Sequence, residues 1–303
     1  MALVAICGPT ASGKSDASLA LAERTGGAIV SCDSMAVYRG FDIGTAKPTP
    51  AERVRVEHHL IDVVDPVEPF TAARYVELAD AALADLERRG VPAIVVGGTG
   101  LYLRALLEGI FPSPPPDPAL RARLKEEAAR AGWPALHARL AAVDPEAAAR
   151  IHPNDAVRIE RALEVFEQTG EPLSAQHARH AAAPRHEAMV VVIDPPPEVL
   201  DRRITARVEA MLRAGLVEET AALAARWGRE ARPLGSLGYK EALAFLDGKL
   251  ARADLAEAIR LSTRHFARRQ RTWFRKQPGA RVAEAAALPA AALAEYLRGH
   301  RHG

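Results

Sequence analysis

Cysteine is scarce in this chain: its 303 residues include two, Cys7 and Cys32, each at the end of a short apolar run. Two thiols cannot build a disulfide framework or a cysteine zinc site, so both read as buried thiols. Long hydrophobic runs are also missing. No stretch approaches the roughly 18 to 20 uninterrupted apolar residues needed to cross a bilayer. The first strand pattern opens at Leu3 without a charged leader and cleavage site. A cytoplasmic protein with no membrane partner is therefore expected. Net charge is only +2, which gives no global signature of a nucleic-acid partner. With 49% hydrophobic and 26% charged residues, the chain can bury a substantial core in one large domain or two smaller ones.

Charge is instead concentrated locally. Arg260, Arg264, Arg268, Arg269, Arg271, Arg275 and Lys276 fall in one window without an acid, so that segment alone carries +7. Arg260, Arg264, Arg268, Arg271 and Arg275 recur every three or four residues, with Phe266, Trp273 and Phe274 interleaved. On a helix this makes a stripe able to track a phosphate backbone; an ordinary charged face over core aromatics is the competing account.

Along the chain, Leu3–Ile6 is an apolar run feeding a glycine-bounded turn and a helical segment over 14–23. Further strands are expected at 28–32, 60–64, 91–96 and 189–193, with a helix over 72–89. Apolar strands alternating with helices imply an α/β fold, a parallel sheet with helices on both faces, and ligands at the carboxyl ends of its strands. The pattern changes at the proline-rich segment 112–118, and from 119 to about 183 only helical patterning is visible. One helix there is expected to start at Asn154 or Asp155 and stop before Gly170, with Ile159, Leu163 and Phe166 on one stripe. Residues 113–183 thus read as a helical insertion into a core of 1–112 and 184–303. Helices are expected over 197–214, 217–227, 239–246 and 254–274.

Gly8-Pro9-Thr10-Ala11-Ser12-Gly13-Lys14-Ser15 has the G-x-x-x-x-G-K-[ST] spacing and lies between a strand and a helix, where a P-loop belongs. Its amides can curl around phosphate oxygens, Lys14 can neutralise a terminal phosphate, and Ser15 can ligate Mg²⁺. Whether the diphosphate belongs to a nucleotide is open at this point. Asp33, directly after the second strand, should project at the same rim and reads equally as a catalytic base, a metal partner or a turn cap. Thr99 reads as a site residue or as an N-cap for the helix after it. Arg202, Arg203 and Arg207 share a helix; one can reach the phosphates, or all can lie on a solvated face.

The ordered set of motifs resembles the bacterial tRNA dimethylallyltransferase, or tRNA isopentenyltransferase, family over most of the chain. The set runs from the segment 8–15 through Asp33-Ser34-Met35-Ala36-Val37-Tyr38-Arg39-Gly40, Asp42 to Pro48, and His58 to Asp62. It continues with Gly97 to Tyr102, His152 to Asp155, Arg161 to Glu164, Gly238 to Glu241, and Thr263 to Phe274. The resemblance implies transfer of a dimethylallyl group from dimethylallyl diphosphate to N6 of adenosine 37 in tRNAs that read codons beginning with U. Diphosphate is released. It implies a P-loop that holds a leaving group, with Thr10 and Arg207 at the reacting diphosphate, Mg²⁺ on Ser15, and Asp33 as acceptor of the amine proton. For the anticodon stem-loop it points to Asp33, Ser34, Met35, Ala36, Thr99, Arg123, Val157, Arg158, Ile159, Glu160, Arg161, Arg264 and Arg268. Ala36 stands where many relatives carry a longer side chain, and Ser15 where threonine is frequent. A monomer is expected.

Two other readings use the same residues. A small-molecule or nucleotide kinase would share the P-loop, Mg²⁺ ligand and strand-end aspartate, but the arginine-rich helix argues against it. A non-catalytic RNA-binding ATPase leaves Asp33, Thr99 and the insertion without a shared task.

Overall fold

The computed structural model describes residues 3–109, 114–179, 185–285, 288 and 290–299. Two compact units are present, one of residues 1–108 and 184–303 and the other of residues 109–183. The first boundary thus falls slightly before the expected one. Residues 112–113 of the proline-rich segment and 180–183 at the end of the insertion lie outside the described residues.

In the first unit, six strands form one parallel sheet: β1 (Leu3–Cys7), β2 (Ala28–Ser31), β3 (His58–His59), β4 (Ala93–Gly97), β5 (Ala188–Ile193) and β6 (Arg281–Ala283). Their order is β3-β2-β4-β1-β5-β6. The early helices are α1 (Lys14–Thr25), α2 (Pro50–Arg55), α3 (Ala72–Arg88) and α4 (Gly100–Glu108). The second unit holds α5 (Pro118–Ala131), α6 (Trp133–Val143), α7 (Pro145–Arg150), α8 (Ala156–Thr169) and α9 (Leu173–Arg179). The chain then returns to the first unit for α10 (Pro197–Arg213), α11 (Leu216–Trp227), α12 (Tyr239–Leu246), α13 (Arg252–Phe274) and α14 (Ala290–Gly299).

The sheet is apolar on both faces because helices cover both. Along β1, Leu3, Ala5 and Cys7 join the core formed with α3, α4 and α13, while Val4 and Ile6 join the core formed with α1 and α14. Period-two alternation in a wholly apolar strand thus feeds two cores at once. Both cysteines are buried free thiols, as their company suggested. In the second unit, Leu124, Leu136, Leu140, Ile159 and Leu163 form a separate core. Helix α8 starts at an Asp155 cap, whose carboxylate accepts from Arg158 N, and stops at left-handed Gly170. Among the described residues, no helix is long and apolar enough to cross a membrane.

The third strand differs from expectation. Pairing with β2 covers His58–His59 rather than 60–64. Beyond it, Leu60 and Asp62 adopt positive φ (61° and 57°), and Val64 makes only an isolated bridge to Tyr38. The cause is polar: Asp62 reaches Lys47 Nζ at 2.5 Å and an Arg53 nitrogen at 2.7 Å. Those ion pairs turn the backbone away from an extended path that hydropathy alone favours.

At the carboxyl end of β4 the chain passes so close to β2 that a Cβ on Gly97 would lie 1.9 Å from the Cys32 carbonyl oxygen. Gly97→Ala should therefore lower stability by about 1–3 kcal/mol. A urea midpoint unchanged from the parent protein would contradict that approach.

Candidate functional site

The loop after β1 takes left-handed backbone at Ala11 (φ 63°) and Gly13 (φ 93°), with Gly8 at φ 150°. Alternation of this kind turns successive N–H groups inward into a concave anion cradle, and α1 begins there with its unpaired amides. Gly8 has no room for a side chain, because its Cβ would lie 2.3 Å from the Ile193 carbonyl oxygen. Pro9 and Ser12 are buried, and among the described residues Ser12 Oγ has no hydrogen-bond partner, an orphan that an oxyanion at this loop would satisfy. Lys14 Nζ donates to the Pro9 carbonyl at 3.2 Å. Arg203 donates to the Ser12 carbonyl at 2.7 Å, closing the outer side of the loop.

A cavity of about 740 Å³ opens beside this loop and brings together Thr10, Lys14, Ser15, Asp33, Thr99 and Arg207. Ser34, Met35 and Ala36 line its wall. A neighbouring space of about 570 Å³ shares Lys14, Ser15 and Arg207, and also holds Ala11, Gly13 and Arg203. The segment expected to bind diphosphate and the residues expected to be catalytic thus share one place.

Asp33 follows β2 as the sheet geometry predicts. Its Oδ1 accepts from the Met35 and Ala36 amides at 2.8 and 3.3 Å, which pins the carboxylate and leaves Oδ2 for another task. The turn-cap reading of Asp33 is thus observed, and the same residue lines the cavity. Thr99 sits ahead of α4, and its carbonyl accepts from Tyr102 and Leu103. Its hydroxyl instead accepts from Ser34 N at 3.0 Å, tying the end of β4 to the loop that bears Asp33.

Among the cations that line this cavity, Lys14 and Arg207 interact with Asp33. Burial holds the Lys14 ammonium down at about 8, and neighbouring Arg207 lowers it further, against the raising effect of Asp33. Burial also lowers the Arg207 guanidinium, again opposed by Asp33. Arg207 rests on the Thr45 carbonyl at 3.5 Å. The loop that carries Thr45 is anchored twice. Glu219 accepts from the Ile43 amide at 2.9 Å and from the Tyr239 hydroxyl at 2.5 Å, and buried Lys47 donates to the Tyr38 carbonyl at 2.5 Å and to Asp42 at 2.8 Å.

The basic window is corrected by the fold. Acids outside it pair with four of its cations: Glu257 with Arg260, Asp201 with Arg264, and Asp194 with both Arg271 and Arg275. Arg264 is thus a tie to α10 before it is a phosphate contact. Arg268 is exposed but lies outside the cavity wall, whereas Arg269, His265 and Phe266 of the same helix line it. Arg269 stands over the Phe266 ring, 5.7 Å from its centroid.

In the second unit the expected tRNA contacts separate. Val157 is 78% exposed, and Arg158 is exposed while paired to Asp155. Arg123 is exposed and paired with Glu167. Ile159 is fully buried in the helical core, so its side chain cannot touch a partner, and that expectation is withdrawn. Glu160 faces Arg121 and Lys125, while Arg161 is spent on Glu164 and the Pro114 carbonyl. The last two hold helices together more than they offer free charge.

Sequence reading missed Gln270, Lys47 and Glu219 as organisers of the site, while Arg203 is one of the three arginines it weighed for the phosphates. Gln270 had a local signal, an uncharged amide among arginines; Glu219 is recognisable only through Ile43, 176 positions away, and Lys47 only through the turns that bring Tyr38, Asp42 and Asp62 to it.

A P-loop α/β unit with a strand-end aspartate, joined to a separate helical unit, defines the structural class. The IPP transferase family model matches residues 36–277, and the isopentenyl transferase model matches residues 1–69. The chain belongs to the IPP transferase family. It is 54% identical over 278 residues to a tRNA dimethylallyltransferase of Anaeromyxobacter sp. (strain Fw109-5), spanning 91% of this chain and 92% of that relative. Identity to the Sorangium cellulosum tRNA dimethylallyltransferase is 50%, covering 93% and 90%. Among solved structures, the tRNA isopentenylpyrophosphate transferase of Bacillus halodurans superposes with TM-score 0.72 at 35% identity, covering 99% of this chain and 96% of that one. A eukaryotic dimethylallyltransferase described as acting on tRNA superposes with TM-score 0.80 at 28% identity, covering 94% and 74%.

The low proton affinity of Lys14 has a measurable consequence. An anion binds its charged form, so above pH 8 or so the free site must take up a proton to bind, and affinity falls as pH rises. Lys14→Arg stays charged throughout. The ratio of the dissociation constants for inorganic diphosphate, parent over Lys14→Arg, should rise about tenfold between pH 7 and 9. Titration of the diphosphate itself cancels in that ratio, so a flat ratio would remove Lys14 from the phosphate site.

Proposed function

We propose that the chain transfers a dimethylallyl group from dimethylallyl diphosphate to N6 of adenosine 37 in tRNAs that read codons beginning with U. The carrying observation is that one cavity brings P-loop residues, Lys14 among them, together with Arg207 and a pinned carboxylate with an open oxygen. In the reaction, N6 attacks the allylic carbon, the carbon–oxygen bond to diphosphate breaks, and the amine loses a proton. An adenine amine is a weak nucleophile, so the barrier falls chiefly by stabilising the departing charge and removing that proton in place.

Lys14, the loop amides and Arg207 meet the diphosphate as it takes up negative charge; Thr10 lies beside it. Asp33 Oδ2 accepts the N6 proton while Oδ1 stays fixed by the Met35 and Ala36 amides. Because the target lies in a cavity, adenosine 37 must leave the anticodon stack to reach it. Arg268, Arg269, Arg123, Arg158 and exposed Val157 are the assigned tRNA contacts, with Ser34 to Ala36 and Thr99 at the base itself.

Magnesium fits the donors present. Among the described residues no group of three or more His, Cys, Asp or Glu side chains is arranged to hold a metal. Such a site suits an ion that draws most of its ligands from phosphate and water. Ser15, with Asp33 lining the same cavity, would hold it, and bound Mg²⁺ would neutralise charge on the leaving diphosphate.

The direct test incubates the purified chain with labelled dimethylallyl diphosphate and unmodified tRNA carrying adenosines at positions 36–38. Prenylated adenosine and diphosphate are the expected products; ATP hydrolysis without a prenylated nucleoside would favour an NTPase and overturn the proposal. Asp33→Asn keeps an oxygen for the two amides but cannot take the proton. It should lower kcat by about 10²- to 10⁴-fold with tRNA affinity retained. Full turnover by this variant would reassign the base.

A further inference from the structure

Gln270 of α13 is buried, 7% exposed, and its amide is used at both ends. Oε1 accepts from Thr10 N at 2.8 Å, and Nε2 donates to the Gly98 carbonyl at 2.9 Å. These partners follow the carboxyl ends of two neighbouring strands, β1 and β4. Thr10 lies in the phosphate loop after β1, while Gly98 immediately precedes Thr99, whose hydroxyl holds Ser34 N next to Asp33. Gly98 is fitted to this contact, since a Cβ there would lie 2.3 Å from Gln270 Nε2.

We infer that Gln270 is a positioning residue for group transfer: its amide locks the phosphate loop to the strand end that carries Thr99, and so sets the separation between leaving diphosphate and Asp33. The inference rests on the prenyl-transfer reading above. Only a side chain with a donor and an acceptor about one amide apart serves both backbone groups. Glutamate offers acceptors alone, so its carboxylate would oppose the Gly98 carbonyl; leucine offers neither; asparagine is one methylene short. The Thr10 amide is occupied by this bond, so phosphate is left to the remaining loop amides and to Lys14. In-line displacement depends on reactants held within a fraction of an ångström, and a shift of about 1 Å costs on the order of 100-fold in rate.

The test compares Gln270→Leu, Gln270→Glu and Gly98→Ala with the parent chain, using dimethylallyl diphosphate and an unmodified anticodon stem-loop from about pH 5.5 to 8.5. Gln270→Leu should lose on the order of 100-fold in kcat, with KM for RNA changed less than about threefold. Gln270→Glu should be equally impaired at high pH and recover as pH falls. Its protonated carboxyl restores the missing donor, and burial raises that carboxyl into the accessible range. Gly98→Ala presses on the amide from the other side and should lose kcat at every pH. Asp16, Asp33, Glu52, His58 and His265 line the same cavity with the cations Lys14, Lys47, Arg207, Lys240 and Arg269, and all are shared by parent and variant, so the readout is the variant-to-parent ratio at each pH.

A ratio for Gln270→Glu that does not move with pH would show that the residue only fills space. Normal turnover by Gln270→Leu, or a loss confined to RNA KM, would likewise overturn the inference while leaving the function standing. If the parent chain itself transfers no dimethylallyl group, the functional reading fails first and takes this inference with it.

Discussion

At the carboxyl edge of the sheet, backbone and side chains approach more closely than any Cβ would allow, and every element of the site takes its position from that approach. A Cβ on Gly8 would lie 2.3 Å from the Ile193 carbonyl oxygen, one on Gly97 1.9 Å from that of Cys32, and one on Gly100 2.0 Å from Trp273 Nε1. The first contact seats the phosphate loop on β5, the second brings β4 against the loop that bears Asp33, and the third docks α4 on α13. Removing side chains at these points has an entropic cost. In return, the loop with Lys14, the Asp33 carboxylate and the basic helix converge on a single cavity, where Gln270 can bridge Thr10 and Gly98.

Within that cavity the electrostatics are unbalanced by construction. Burial lowers the proton affinity of both Lys14 and Arg207, Arg207 lowers that of Lys14 as well, and Asp33 offsets this only in part. Two partly desolvated cations repel one another until an anion arrives, so the arrangement favours whatever brings the most negative charge. Under the proposed reaction, charge would grow on the departing diphosphate, and the same groups would then stabilise the transition state more than the bound substrate. Two backbone amides fix one oxygen of that carboxylate on its own loop.

How much of this could be read from sequence depends on the range of the interactions. The P-loop, Asp33, Thr99 and the caps of α8 follow local rules of spacing and chain conformation, and the structure places them where those rules put them. The strand expected at 60–64 failed because Asp62 answers to Lys47 and Arg53, which a hydropathy pattern does not register. Ile159 failed in the opposite way: it lies on the stripe that reading assigned to the core, yet motif resemblance counted it among the RNA contacts. Gln270 and Glu219 act across 260 and 176 positions of chain, and no periodicity encodes such pairings.

The basic helix shows most sharply why local charge is an ambiguous sign. Its window carries +7 in sequence, but Asp201 and Asp194 arrive from α10 and the end of β5 to claim Arg264, Arg271 and Arg275. Exposed pairs contribute little, about 0–1 kcal/mol each. Arg271 and Asp194, however, are only 16% and 10% exposed, so losing either partner would leave a nearly buried charge unpaired. The Arg264–Asp201 tie fastens the helix that carries Gln270 to the helix that carries Arg207, and the Asp194 pairs fasten it to the end of β5. The arginines that bind α13 to its neighbours therefore help to hold the loop after β1 and Arg207 in one frame, while Arg268 and Arg269 on the same helix are exposed.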